Sequence, residues 1–134
     1  MNEKKFFKKL ETADTGKKYP LSEALAALRF NTDGLLPVIT QCADSGQVLM
    51  LAWMNRTAIN DTLASGEMTY YSRSRKTLWR KGETSGCRQK LLALSIDCDG
   101  DAILATVKQT GAACHTGRQS CFYVTLGKDK VKIK

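Results

Sequence analysis

Hydrophobic and polar positions beyond Pro37 alternate in short runs that are separated by turn residues. Short apolar runs bounded in this way are typical of β-strands. The first two runs are separated by Asp44-Ser45-Gly46, a sequence typical of a hairpin. The pattern predicts strands at Val38–Gln41, Val48–Trp53, Met68–Ser72, Leu91–Ile96, Ala102–Lys108 and Phe122–Leu126.

Helical signals are fewer in this region. Asn55 is followed by a segment that runs to about Ala64, and Gly66 comes just after it. An N-capping residue and a terminal glycine in these positions predict a short helix. One such helix among many short strands predicts an α+β fold, a compact single domain of mostly antiparallel strands with a few short helices.

The two ends of the chain differ from this middle region. Lys4–Leu10 favours a short helix, and Ser22 is predicted to cap a second helix over Glu23–Arg29. Lysines are concentrated at both ends, where solvated, partly mobile tails account for them. We therefore predict an N-terminal extension that is helical or partly disordered, a main domain and a basic C-terminal tail, at residues 1–30, 31–127 and 128–134.

The composition is typical of a soluble globular domain, with 134 residues of which 43% are hydrophobic and 25% charged. The net charge of +8 favours a polyanionic partner, which is a nucleic acid, an anionic membrane or a small phosphorylated molecule. Apolar runs stay far below the ~20 residues of a membrane span, and the first ten residues lack the apolar core of a secretory signal. We therefore expect a cytoplasmic protein. Its five cysteines then indicate metal binding or catalysis rather than disulfides.

An acidic motif, "DCDGD", offers oxygen ligands. On an extended backbone its alternate side chains share one face, while Cys98 points to the other. Three like charges repel unless a cation or a proton lies among them, and carboxylates suit Mg²⁺. An EF-hand is excluded because Ala102 and Lys108 occupy its glycine and glutamate positions. A solvated acidic turn remains an open alternative for Asp97, Asp99 and Asp101.

Three cysteines offer softer ligands. Zinc favours thiolates, and three protein ligands with an open position are typical of a catalytic zinc site. Cys98, Cys114 and Cys121 supply such a set, although their spacing matches no standard zinc finger. Cys42 and Cys87 are possible fourth ligands. All five cysteines are equally compatible with small buried side chains.

The single histidine of the chain, His115, directly follows Cys114. Adjacent residues seldom reach the same metal, so His115 is a poor zinc ligand. Its unperturbed pKa near neutrality makes it a candidate proton shuttle beside a thiolate site. The next three residues, Thr116, Gly117 and Arg118, form a candidate anion site.

A basic segment, "YYSRSRKTLWRKGETSG", spans residues 70–86. Arginine side chains bind phosphate oxygens, and aromatic rings stack on nucleobases. A charged hairpin exposed to water is the alternative. The segment supplies the candidate substrate contacts Arg73, Arg75, Trp79, Arg80, Lys81, Glu83, Thr84 and Ser85.

Taken together, these motifs resemble the phosphoribosyl-AMP cyclohydrolase family of histidine biosynthesis. The matching stretches fall in order between Asp33 and Tyr123, about two-thirds of the chain. They are "DGLLPVITQ", "VLMLAWMN", "YYSRSR", "LWRKGETSG", "DCDGDA" and "CHTGRQSCFY". Some members of the family carry a fused pyrophosphohydrolase domain, which we do not expect here, so the resemblance implies a single activity.

The resemblance implies hydrolysis of the N1–C6 bond of the adenine ring in 1-(5-phosphoribosyl)-AMP, which opens the purine to a phosphoribosyl-formimino-AICAR phosphate intermediate. It further implies an intertwined homodimer with one zinc ion per subunit, held by Cys114 and Cys121 of one chain and by Cys98 of the other. The three aspartates are the implied Mg²⁺ ligands, and His115 is the implied acid/base.

Under this resemblance the partner is a small phosphorylated nucleotide, neither a nucleic acid nor a membrane. Its two phosphates account for the internal arginines, with Arg118 a further candidate contact.

Two other interpretations remain in view. Nucleobase deaminases also direct a zinc-activated water at a purine, but they need a Glu two residues after a ligand and a P-C-x-x-C pair, which this sequence lacks. A zinc-stabilised RNA-binding module would use the basic aromatic segment, bind RNA in a salt-sensitive way and catalyse no turnover.

Overall fold

The computed structural model describes residues 3–134, with side-chain positions from residue 5 onward. Short helices precede and interrupt a set of short strands, as the alternation of apolar and polar positions predicts. In chain order the elements are α1 Glu3–Leu10, α2 Leu21–Ala27, β1 Leu36–Cys42, β2 Val48–Met54, α3 Arg56–Ser65, β3 Thr69–Ser72, β4 Thr77–Arg80, β5 Gln89–Ile96, β6 Ile103–Gln109, β7 Val124–Leu126 and β8 Val131–Ile133.

A four-stranded sheet in the order β2-β1-β6-β5 forms the centre of the molecule. Its middle pair, β1 and β6, is parallel, with Val38 opposite Ile103, and its other pairs are antiparallel. Two antiparallel hairpins, β3-β4 and β7-β8, complete the strands. The predicted α+β fold of mostly antiparallel strands is confirmed.

The two faces of this sheet differ in how far their side chains are buried. Side chains on one face, such as those of Leu36 and Val38, are buried in the core together with residues of α3 and β3. On the opposite face, Ile39 lies opposite Leu51 of β2 and Leu104 of β6. These three side chains, which we call the apolar row, are 39%, 48% and 38% exposed. One face of the sheet therefore remains uncovered in the single chain.

Helix α3 has the ends that the sequence predicts. The Asn55 side chain accepts a hydrogen bond of 2.8 Å from the Ala58 amide, and Gly66 ends the helix in the left-handed conformation. The helix leads the chain from β2 across the core to β3.

The N-terminal segment packs onto the same core. Phe6, Phe7, Leu25 and Leu28 belong to one hydrophobic cluster with the sheet residues. The predicted Ser22 cap is wrong, because α2 starts directly after Pro20 and has no side-chain cap. It also ends two residues earlier than predicted, since Leu28 is extended and buried in the core.

The sequence pattern missed two strands. Strand β4 carries charged and aromatic residues in place of an apolar run, and it is held as a strand by pairing with β3. Strand β8 lies within the predicted basic tail and pairs with β7, which begins at Val124 rather than at Phe122. Short strands of this kind depend on their partner more than on their own composition.

Within the described part of the chain, no helix has both the length and the apolar character that crossing a membrane requires.

Candidate active site

The acidic motif forms a turn between β5 and β6. The Gly100 amide donates to the Asp97 carbonyl at 3.2 Å, and the Arg29 amide donates to the Gly100 carbonyl at 2.8 Å. Of the two conformations considered for this motif, the extended backbone is therefore wrong and the acidic turn between two strands is the one observed. The turn nevertheless brings ligand oxygens of its three aspartates within 4.8 Å of one another. The carboxylates converge because the backbone turns here, and the sheet fixes the turn at both ends.

The three carboxyl groups are electrostatically unequal. Partial burial acts to raise the pKa of Asp97, but hydrogen bonds from the amides of Asp101, at 3.0 Å, and Ala102, at 3.2 Å, bring this pKa below its usual value. The pKa of Asp101 is raised, chiefly because it shares hydrogen bonds with Asp97 and then with Asp99. Carboxyl groups that lie this close together, one with a lowered and one with a raised pKa, can either share a proton or bind a hard cation.

The thiol pair lies on the loop between β6 and β7. The Cys114 amide donates to the Arg118 carbonyl at 3.1 Å, and the Gly117 amide donates back to the Cys114 carbonyl at 3.0 Å. The Cys121 amide donates to the Leu49 carbonyl of β2 at 2.7 Å. This folding makes Cys114 and Cys121 neighbours close enough to shift each other's ionisation.

The two thiols differ in acidity. Thr116 donates its hydroxyl to the Cys114 sulfur at 3.1 Å, and this hydrogen bond is the main reason why the pKa of Cys114 is lowered. Burial, and next the charge of the nearby Cys114, raises the pKa of Cys121. The thiolate is the metal-binding form of cysteine. A neighbouring pair with one thiol biased toward the thiolate fits a soft metal such as zinc.

Cys98 does not join this pair within one chain. Among residues 5–134, whose side chains are described, only the three aspartates of the acidic turn form a group of three or more potential metal ligands with ligand atoms within 4.8 Å of one another. Cys98 is exposed on that turn. Cys42 and Cys87 likewise form no such group with Cys114 and Cys121.

His115 is exposed beside the buried Cys114, where its ring is accessible to water and to a bound molecule. Two residues after Thr116, the guanidinium of Arg118 lies over the Tyr123 ring, 4.1 Å from its centroid. The loop therefore presents a histidine and a held arginine close to the thiol pair.

An open depression of about 600 Å³ lies between β2 and the β3-β4 hairpin. It contains two of the predicted substrate contacts, Arg73 and Trp79. It also contains Trp53, which the sequence analysis placed only in a strand, and whose ring centroid lies 4.6 Å from the Arg73 guanidinium. The packing of two distant strands creates this surface, so no local signal predicted it. It is lined by Leu51, Ala52, Trp53, Tyr71, Ser72, Arg73, Ser74 and Trp79.

The other predicted contacts fall in two groups. Most are exposed on the hairpin or on the loop after it: Arg75, Arg80, Glu83, Thr84 and Ser85. Lys81 differs because it is half-buried, and its Nζ donates to the Ala113 carbonyl at 2.6 Å.

A small α+β fold that carries a thiol pair beside an accessible histidine, and converging carboxylates on a separate turn, is compatible with a hydrolytic enzyme. A family model described as phosphoribosyl-AMP cyclohydrolase matches residues 50–123, which include all of these features. The chain belongs to the phosphoribosyl-AMP cyclohydrolase family, and the resemblance seen in its motifs is confirmed.

Individual relatives agree with this assignment. The phosphoribosyl-AMP cyclohydrolase of Alkalilimnicola ehrlichii is 57% identical over 127 residues, covering 95% of this chain and 89% of that protein. Phosphoribosyl-AMP cyclohydrolase 2 of Pseudomonas fluorescens is 55% identical, covering 92% of this chain and 84% of its own length. The phosphoribosyl-AMP cyclohydrolase of Rhodospirillum rubrum is 64% identical, covering 76% of this chain and 71% of its own.

Proposed function

We propose that this protein hydrolyses the N1–C6 bond of the adenine ring of 1-(5-phosphoribosyl)-AMP in histidine biosynthesis, yielding the phosphoribosyl-formimino-AICAR phosphate intermediate. The observation that carries the proposal is the family match over residues 50–123, which spans the thiol pair, His115 and the acidic turn. Relatives named phosphoribosyl-AMP cyclohydrolase align with up to 95% of the chain. The reaction takes place in the cytoplasm, where cysteines stay reduced.

The thiol pair is the proposed zinc site. Cys114 and Cys121 are neighbours with unequal acidity, and Cys98 is exposed elsewhere on the chain. Two cysteines leave the set one thiolate short, and the partner subunit's Cys98 completes it, with one zinc ion for each subunit. Zinc bound there lowers the pKa of water to about 7 and so supplies hydroxide at neutral pH.

A homodimer follows from the same site. The site is incomplete within one chain, and the apolar row leaves one sheet face uncovered, with Leu51 48% exposed. Exposed apolar side chains in a contiguous patch mark an interaction surface. A second copy of the chain, intertwined with the first, would cover this face and bring its Cys98 to the thiol pair.

His115 is the proposed acid/base. Its ring accepts a proton from the water that adds to C6 and then donates one to N1, as the C6–N1 bond breaks. The new bond joins the water oxygen to C6, and N1 leaves carrying the proton from His115. The second proton of the water moves from the oxygen to the exocyclic nitrogen, which completes the carboxamide. General acid–base catalysis of this kind contributes about 10²–10⁴ in rate.

The depression between β2 and the hairpin is the proposed site for the nucleobase. Trp53, Tyr71 and Trp79 offer aromatic surface for a purine, and Arg73 offers a cation beside it. The two phosphates are assigned to exposed basic side chains, and the loop after β4 supplies polar groups that close over the ligand. These contacts are Arg75, Arg80 and Arg118 for phosphate, with Glu83, Thr84 and Ser85 on the loop.

The acidic turn is the proposed Mg²⁺ site. Its three carboxyl groups already converge, and hard cations bind to such oxygen sets. Magnesium held there by Asp97, Asp99 and Asp101 would neutralise phosphate charge on the substrate.

The test follows the purine absorbance of phosphoribosyl-AMP after addition of the purified protein, with and without a zinc chelator. We expect turnover that the chelator stops. Cys114→Ser should lose zinc and activity, His115→Ala should keep zinc and lose most activity, and Cys87→Ser should keep both. Metal-loaded wild type that leaves the ring intact overturns the function, and full turnover by His115→Ala removes that residue from the mechanism.

A further inference from the structure

Lys81 occupies a different place from the other basic residues of its segment. It lies at the end of β4, and its backbone amide donates to the Met68 carbonyl at 3.0 Å. Its ammonium donates to the Ala113 carbonyl at 2.6 Å and lies 5.7 Å from the centroid of the Trp79 ring. The side chain therefore points at the loop of the thiol pair and not into open solvent.

The carbonyl that Lys81 binds is buried and has no alternative donor. Ala113 is 2% exposed, and among residues 5–134, whose side chains are described, the Lys81 ammonium is the only group that donates to its carbonyl. A charged donor makes a stronger hydrogen bond than a neutral one, and an unpaired buried carbonyl is costly. The contact therefore fixes the residue that directly precedes Cys114.

The two thiols of the pair are held in different ways. Cys121 is bonded to β2 through its own amide, and Ser120 beside it donates to the Val48 carbonyl at 2.8 Å. On the Cys114 side, the backbone hydrogen bonds that the structure describes stay within the loop: the amides of Ala113 and Cys114 donate to the Gln119 and Arg118 carbonyls. The Lys81–Ala113 hydrogen bond is thus what connects the Cys114 side of the loop to the β3-β4 hairpin.

We propose that Lys81 is a positioning residue for the thiol pair: by holding the Ala113 carbonyl it sets where the Cys114 sulfur lies relative to Cys121. This inference rests on the proposed zinc site. It replaces the assignment of Lys81 as a substrate contact, because the half-buried side chain is directed at the thiol loop and commits one of its three N–H donors to the Ala113 carbonyl.

The primary experiment measures zinc affinity of the purified protein by competition with a chromophoric chelator, at one protein concentration throughout. Lys81→Met keeps the aliphatic stem and removes the donor, and we expect its zinc Kd to rise about 10- to 100-fold, as for other residues that support metal ligands. Lys81→Arg retains a cationic donor and should recover most of the affinity. Lys18→Met, which removes a lysine exposed on the loop between α1 and α2, should stay within about twofold of wild type.

Two further measurements separate positioning from substrate binding and from simple misfolding. At saturating zinc, Lys81→Met should lower kcat and leave KM unchanged. Without metal, amide hydrogen exchange at residues 113–119 should be faster in Lys81→Met than in wild type, while exchange in the central sheet is unchanged. Unchanged zinc affinity with a raised KM identifies a phosphate contact and overturns the proposal, as does unchanged exchange in the loop.

These readouts are independent of the proposed reaction. Zinc affinity and loop exchange are measured without substrate, so wild type that binds zinc and leaves the purine ring intact would defeat the proposed reaction alone. Turnover by wild type together with unaltered zinc affinity in Lys81→Met would defeat the positioning role alone.

Discussion

Gly82 and Gly86 provide a sharp test of how tightly the loop after β4 is packed. Both have nearly the same backbone conformation, with φ of +80° and +81°. A Cβ added at Gly82 would lie 2.5 Å from the Cys87 carbonyl carbon and 2.6 Å from the Arg88 nitrogen, whereas a Cβ at Gly86 would meet nothing within 4 Å. The atoms that meet Gly82 belong to the backbone and cannot rotate away.

The matched pair separates backbone strain from steric overlap. Placing alanine in a left-handed backbone conformation destabilises the folded state by about 1–2 kcal/mol at either position. Gly82→Ala must in addition displace the backbone at Cys87 and Arg88, and such overpacking costs about 1–3 kcal/mol. We therefore expect Gly82→Ala to lower the free energy of unfolding by about 2–5 kcal/mol, and Gly86→Ala by about 1–2 kcal/mol.

The assay is urea denaturation of both variants and wild type at the same protein concentration, because self-association makes apparent stability depend on concentration. The change in midpoint, taken with an unchanged slope, gives the change in free energy. If the two variants agree within about 0.5 kcal/mol, the close approach of the loop backbone to Gly82 is refuted.

Three further changes test other parts of the structure. Asn55→Ala removes the cap of α3 and should cost about 1 kcal/mol in urea denaturation, and a cost near zero would contradict the cap. Tyr70→Phe leaves Thr40 and Gln89 without their buried hydroxyl partner and should cost about 1–3 kcal/mol at neutral pH. Burial raises the pKa of Tyr70, so above about pH 10 the Tyr70 hydroxyl loses its proton in the unfolded chain before it does so in the folded protein. Wild type should therefore lose stability above this pH, and Tyr70→Phe should lack this contribution to the loss. Parallel curves of stability against pH for the two proteins would contradict the prediction. Ile39→Lys puts a charge in the apolar row and should convert the proposed dimer to a monomer in light scattering, and an unchanged mass would exclude this face from the interface.

Features that depend on neighbouring residues can be predicted without the structure. The cap of α3 joins the Asn55 side chain to an amide only three residues away, so the residue types reveal it. Short apolar runs likewise place β1 and β2, but they do not reveal which side chains face the core, because every residue of β2 is apolar. The motifs identified the thiols, the histidine and the aspartates as candidate site residues, because the chemistry of these side chains follows from their residue types alone.

The arrangement of those groups in space depends on contacts between distant parts of the chain. The Lys81–Ala113 hydrogen bond joins residues 32 positions apart, and the depression around Trp53 exists because β2 packs beside the β3-β4 hairpin. The acidic motif is a turn rather than a strand because β5 and β6 fix both of its ends. Local sequence sets which backbone conformations and which chemical groups are available. Which groups meet depends on packing between distant segments, whose contacts leave no trace in the residues adjacent to either one.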